Sequence, residues 1–247
     1  MPKIDKTQFS KSQWRIIKEE RRTQKQKNTV QQNINPPVTP EPRPVQKDYS
    51  NIKTSGIAFV LGNGTSRKDV DPNILKIHGD VYGCNALFRE FQPDYLVAVD
   101  TKMILEIVKT GYHLKYPVWT NYNRSYSKYS GLNFFQPSKG WSSGPTALNM
   151  ASEKNYKTVY ILGFDYVGLG DRVNNVYAGT HNYKKIDERA TYYGNWLRQT
   201  QIVIKNNPQI GYIRVVDENG FVPKEFSNLE NLTHVKVEEF KKIFENN

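Results

Sequence analysis

Five consecutive apolar residues, Ile57-Ala58-Phe59-Val60-Leu61, run directly into Gly62-Asn63-Gly64-Thr65-Ser66. An apolar run without alternation reads as a parallel strand buried on both faces, which commits the chain to a sheet covered by helices on two sides. Small residues at the end of such a strand suit a sharp turn and a close approach of backbone to something else. Two readings of that turn stand side by side. Bare amides, with the start of the following helix, favour a phosphate. Alternatively, a turn between strand and helix simply needs glycines.

The rest of the chain alternates in the same manner. Apolar runs predict strands over 57–61, 80–84, 95–99, 117–120, 157–162 and 211–216. Helical spacing predicts helices over 69–77, 86–91, 101–110, 144–154, 183–206 and 235–245. The expected fold is therefore α/β and Rossmann-like, a mostly parallel sheet with helices on both faces, occupying residues 56–247. Ligands of open α/β sheets bind beyond the carboxyl ends of the strands. The long segments 121–142 and 163–182, which follow strands, are where specificity is expected to lie.

The first 55 residues differ in kind. They hold 12 Lys and Arg against 5 Asp and Glu, a charge of +7, whereas the other 192 residues hold 23 against 19, or +4. Residues 8–27 are dense in Lys, Arg, Gln and Glu around Phe9, Trp14, Ile16 and Ile17, and residues 34–46 carry five prolines. The first stretch suits a short helix with one apolar face that builds no core alone, whereas the prolines forbid helix and favour an extended spacer, so the whole reads as a basic arm on a proline-rich linker. An arm of this charge suits nucleic acid, an acidic partner or an anionic surface, and equally a solvated leader. The polar start Met1–Lys11, a single cysteine (Cys84) and the lack of a long apolar stretch lead to the expectation of a cytoplasmic protein without signal peptide, disulfide or membrane span.

Four strand ends carry a polar residue after an apolar run: Asn63, Asn85, Asp100 and Asp165. A parallel sheet gathers all four at one edge, where amides suit base edges and sugar hydroxyls and Asp100 suits a ribose hydroxyl. Ser142-Ser143-Gly144-Pro145 opens the helix over 144–154 with capping chemistry that also presents amides and hydroxyls to an anion. Among four histidines, His181 ends the glycine-containing segment Tyr177-Ala178-Gly179-Thr180 ahead of the longest predicted helix, a position from which a general base can reach a ligand. The segment 121–129 interleaves tyrosines with Arg124 and Lys128, candidates for stacking and for phosphate or acceptor contact. Asp69-Val70-Asp71 has the spacing of a cation-binding pair but precedes Pro72, so helix capping is its expected role; no metal is expected.

In motif order the chain resembles the bacterial family 42 sialyltransferases and, more distantly, the MptE-like family of pterin pyrophosphokinases and motility-accessory proteins. The resemblance covers about residues 57–206 and rests on LGNGTSRKDVD, DVYGCNALF, SSGPTALNMASEKNYKTVYILGFDY and GTHNYKKIDERA. It implies that Asn63, Gly64, Asn85 and Ser143 hold a cytidine or similar nucleotide and that His181 deprotonates the acceptor. Tyr177 would be one of two tyrosines on the leaving phosphate, the other falling on Val167 or Tyr166; Thr65 replaces the family's usual proline. The full donor site expected is Gly62–Ser66, Asn85, Asp100, Ser142–Gly144 and Asp165. The reading is transfer of a sugar from a nucleotide-activated donor with no required cofactor. Two alternatives remain open. One is a magnesium- and ATP-dependent diphosphotransferase of the pterin-kinase type; the other is a non-catalytic nucleotide fold used in a virion or nucleic-acid-associated structure.

The arm yields a prediction. If it recruits a polyanionic acceptor such as DNA, removing residues 1–55 weakens DNA retention, most strongly at low salt because each neutralised phosphate releases a counterion. Donor affinity stays the same. A gel-shift series across salt concentrations, comparing full-length protein with residues 56–247, measures this; identical retention by the two proteins excludes recruitment through the arm.

Overall fold

The structure is a computed structural model that describes residues 56–154 and 156–245; the expected arm and linker lie outside the described residues. Its centre is one sheet of eight strands: β1 (Ile57–Leu61), β2 (Asp80–Cys84), β3 (Tyr95–Val97), β4 (Val118–Thr120), β5 (Leu132–Phe134), β6 (Thr158–Leu162), β7 (Gly211–Val216) and β8 (Leu232–Lys236). They lie in the order β5-β4-β3-β2-β1-β6-β7-β8. Every pairing is parallel. The chain winds outward from β1 to β5, then returns to place β6 on the other side of β1. That reversal makes the carboxyl ends of β1 and β6 the topological switch point, where open sheets hold ligands.

Six α-helices cover the described sheet: α1 (Pro72–His78), α2 (Thr101–Lys109), α3 (Tyr112–Lys115), α4 (Ser143–Ser152), α5 (Gly194–Asn206) and α6 (Val237–Phe244). Strand alternation sorts the core between two faces. Ala58 and Val60 of β1 join Leu148 and Ala151 of α4 and Val203 and Ile204 of α5. Phe59 and Leu61 point the other way, to Leu75 of α1 and to Phe240 and Phe244 of α6. Phe59 stacks on Tyr160 at 5.4 Å and meets Phe244 edge-on at 5.1 Å, which anchors α6 on that face. Farther out, Met103, Ile104 and Ile107 of α2 cover Leu96 and Val118.

The α/β expectation stands, with corrections at particular elements. Asp71 caps α1, its carboxylate accepting the Asn73 amide at 2.9 Å, so that helix starts at Pro72 rather than 69. Residues 85–89 form a 3₁₀ turn instead of an α-helix. The predicted helix over 183–206 begins only at Gly194, because Lys184-Lys185-Ile186-Asp187-Glu188-Arg189 has no apolar stripe to bury. Strands β5 and β8 were not expected. Both are sheet-edge strands with few buried residues, so their pairing comes from the neighbouring strand.

At the β8 edge, His234 sits in register with Arg214 of β7 and stacks on Phe226 with ring centres 6.4 Å apart. Burial, aided by the Arg214 charge, pulls the histidine down to about 4. Above the unfolded value of 6.5 both states hold the ring neutral, so it contributes nothing. As pH falls from there toward about 4, the unfolded chain takes up a proton that the folded chain does not, and stability declines. We expect His234→Gln to remove on the order of 1–2 kcal/mol of that acid-side loss, the shift being discounted for the ring's partial exposure. Urea denaturation at stepped pH tests this; parallel pH profiles for parent and variant would refute it.

A cleft at the carboxyl edge of the sheet as candidate functional site

A cavity of about 530 Å³ opens at the carboxyl ends of β1, β2, β3 and β6. Its floor is the turn after β1, its walls are the segment 140–145 entering α4 and the segment 163–168 leaving β6, and residues 173–175 and 190–196 close it from above. Nine of the predicted donor-site residues line it: Gly62, Asn63, Gly64, Asn85, Asp100, Ser142, Ser143, Gly144 and Asp165. Thr65 and Ser66 lie just behind the floor.

The glycine turn is not a bare-amide cradle. Gly62 N–H donates to Leu162 O and Gly64 N–H to Gly163 O, at 2.8 and 2.9 Å. Thr65 N–H and its hydroxyl both donate to Asn174 Oδ1, at 2.8 and 2.7 Å. Ser66 N–H donates to Asp165 Oδ2 at 3.1 Å, and the Ser66 hydroxyl to Asp165 Oδ1. These bonds occupy the amides of Gly62, Gly64, Thr65 and Ser66 within the protein and join the turns after β1 and β6. Asp165, which lines the cavity, is at the same time the clasp between those turns. Gly64 has φ −66° and ψ 153°, a conformation open to any residue. It is glycine because a Cβ there would sit 2.4 Å from Asp165 Oδ2. At Gly62 a Cβ would meet Gly163 O at 2.5 Å.

The opposite wall keeps only some of its donors free. Ser142 O accepts from Thr146 N–H and from the Thr146 hydroxyl, and Ser142 N–H donates to Gln199 Oε1 at 3.1 Å. The Ser142 side chain makes no capping bond. As first-turn amides of α4, those of Ser143 and Gly144 have no carbonyl four residues back within the helix. The Ser143 hydroxyl instead locks the frame: Val99 N–H donates to it at 3.1 Å and it donates to Asn85 Oδ1 at 2.7 Å. This relay ties the ends of β2 and β3 to the start of α4. It leaves the Asn85 NH₂ group available on a residue held at φ 52°, and Tyr166 across the cleft is held at φ 57°. Non-glycine residues in this left-handed region cost free energy and cluster where function demands them.

The lining has a definite chemistry. Five asparagines (Asn63, Asn85, Asn121, Asn174, Asn175) and five aromatic residues (Trp141, Phe164, Tyr166, Tyr193, Trp196) face the cavity, and no Lys, Arg or His does among the described residues. Lys139, outside the lining, holds its ammonium 4.9 Å from the centre of the Trp141 ring and donates to Asn149 Oδ1 at 2.9 Å. Cys84 lines the floor, but burial pushes its thiol up to about 12, so it stays protonated and unreactive at neutral pH. Asn63 donates to the Tyr183 hydroxyl at 3.1 Å, while its Oδ1 is buried without a partner.

Four predicted residues lie elsewhere. His181 is exposed and outside the cavity lining; its carbonyl accepts from Arg89 at 2.7 Å. Tyr177 is buried, with its hydroxyl donating to Glu90 and accepting from Arg67 at 3.0 Å. Burial raises that phenol well above its usual range, which suits a core group rather than a phosphate contact. Arg124 and Lys128 are exposed on the loop after β4 and do not line the cleft. No group of three or more metal-ligating side chains occurs among the described residues. The aromatic residues Trp141, Tyr193 and Trp196 went unrecognised in the sequence because the last two fell inside an expected helix. Asn174-Asn175, a polar pair between apolar neighbours, was the available signal for that part of the wall.

Comparison with protein-family models, with curated proteins and with solved structures found no match to this chain. No described helix is long and apolar enough to cross a membrane.

The clasp predicts a non-additive pair. Gly64→Ala alone should cost about 1–3 kcal/mol, the scale of displacing a hydrogen-bonded carboxylate. In an Asp165→Ala background the same change should cost far less, because the obstructing atoms are gone. Denaturant unfolding of the four proteins measures this; an equal cost in both backgrounds would show that Asp165 is not the obstacle.

Proposed function

We propose that the chain binds a nucleotide-activated sugar in this cleft and transfers the sugar to an acceptor hydroxyl. The observation that carries the reading is the lining itself: amides and aromatic rings without cationic side chains, beside a helix start with unoccupied donors. Aromatic faces pack on sugar rings and asparagines satisfy hydroxyls as both donor and acceptor. The phosphate of the donor is assigned to the Ser143 and Gly144 amides and the Ser142 hydroxyl, where the α4 dipole favours negative charge. The nucleoside is assigned to Asn63 and Asn85. Oriented donors of this sort stabilise a departing phosphate without a cofactor. The motif order shared with the family 42 sialyltransferases supports the same reading and favours a cytidine nucleotide.

Calorimetry and thermal shift with CMP-, UDP- and GDP-sugars and with ATP plus magnesium test this. We expect a sugar nucleotide to stabilise the protein, by about 2.7 kcal/mol at a hundredfold excess over its dissociation constant. Asn85→Ala should weaken binding roughly five- to thirtyfold, the worth of one or two lost hydrogen bonds and of their positioning. Stabilisation by ATP and magnesium alone would instead favour diphosphate transfer, and no response to any nucleotide would refute both.

A further inference from the structure

We infer that Asp100 is the general base of the transfer, an assignment that rests on the reading above. Within the cleft, the side chains that can serve as a proton acceptor are few. Among the described residues no histidine lines it, and Asp100 and Asp165 are its two carboxylates. Asp165 accepts both the amide and the hydroxyl of Ser66 and holds the turns after β1 and β6 together. Asp100 has no such duty.

Its position makes that absence informative. Asp100 is the N-cap residue of α2, yet its side chain makes no capping bond. Asp71, in the same position on α1, accepts the Asn73 amide at 2.9 Å. An N-cap carboxylate that forgoes its bond gives up helix stability that capping would supply. The carboxylate of Asp100 is exposed, lines the cleft and has no partner among the described residues. Backbone rigidity fixes where it starts: the adjacent Val99 N–H is bound to the Ser143 hydroxyl, so Asp100 follows a strand end tied directly to the first turn of α4. The proposed base thus stands next to the helix start assigned to the leaving phosphate.

In the step, the acceptor oxygen forms a bond to the anomeric carbon and its proton passes to a carboxylate oxygen of Asp100. The bond from the anomeric carbon to the phosphate oxygen breaks, and its electron pair leaves with the nucleotide. Asp100 then returns the proton to solvent.

The test uses the full chain with CMP-, UDP- and GDP-sugars, water serving as acceptor and released nucleotide being counted by chromatography. For the donor that the parent cleaves, Asp100→Asn should leave the calorimetric dissociation constant unchanged and slow release by about 10²- to 10⁴-fold. His181→Ala should match the parent, and Asp100→Glu should recover part of the rate. Asp100→Asn should melt with the parent, since the side chain bonds to nothing. If Asp100→Asn cleaves as fast as the parent, the base assignment is overturned and the transfer reading stands. A parent that binds and cleaves no donor overturns both.

Discussion

The site depends on how closely two turns approach at the switch point. The parallel pairing of β1 with β6 brings Gly62 against Gly163, and the chain can continue only because neither carries a Cβ. Asp165 then reaches across to Ser66, and Asn174 to Thr65. These bonds satisfy amides that would otherwise be left buried and unpaired in the turn. A polar cluster of this kind holds the floor of the cleft rigid, which is a requirement for any site that orients a ligand.

Behind the floor, Arg214 extends the same structure to the next strand. It is 2% exposed and donates to the carbonyls of Phe164, Asp165 and Phe221 at 2.8, 3.1 and 2.9 Å. Burial lowers its pKa, yet the guanidinium is too basic to lose its proton, so three carbonyls and the face of Tyr166 at 5.3 Å must carry the charge. The left-handed backbone at Tyr166 is held by these contacts and by the bond from its hydroxyl to Thr200 at 2.7 Å. Removing a partner from such a network costs more than the bond itself, because a buried charge would be left uncompensated.

The segment between β6 and α5 is fixed by a second staple, built on Arg89. Arg89 pairs with Glu106 at 2.7 Å, donates to the Thr180 hydroxyl and the His181 carbonyl, and lies over the rings of Tyr177 and Tyr183. Arg89 thus ties the glycine-containing loop to the helix Thr101–Lys109, with the His181 side chain exposed and outside the cavity lining. The same segment supplies Asn174, Asn175, Thr191 and Tyr193 to the lining of the cleft.

Period and composition were enough to place β1, β2 and β7 at their observed bounds and to expect a parallel α/β sheet, because buried central strands must be continuously apolar. They also placed Asn63, Asn85, Asp100 and Asp165 together, since parallel strands end on one edge. The edge strands β5 and β8 were not legible: their residues are half polar, and only the neighbouring strand makes them pair. Nor could the sequence assign the polar groups it had located. Whether a glycine serves a ligand or a neighbouring turn, whether a carboxylate is clasped like Asp165 or free like Asp100, and whether His181 faces the cleft or the solvent all depend on contacts between residues 92 to 109 positions apart. Local patterning decides which face a side chain occupies; only tertiary packing decides which bonding partners remain for it.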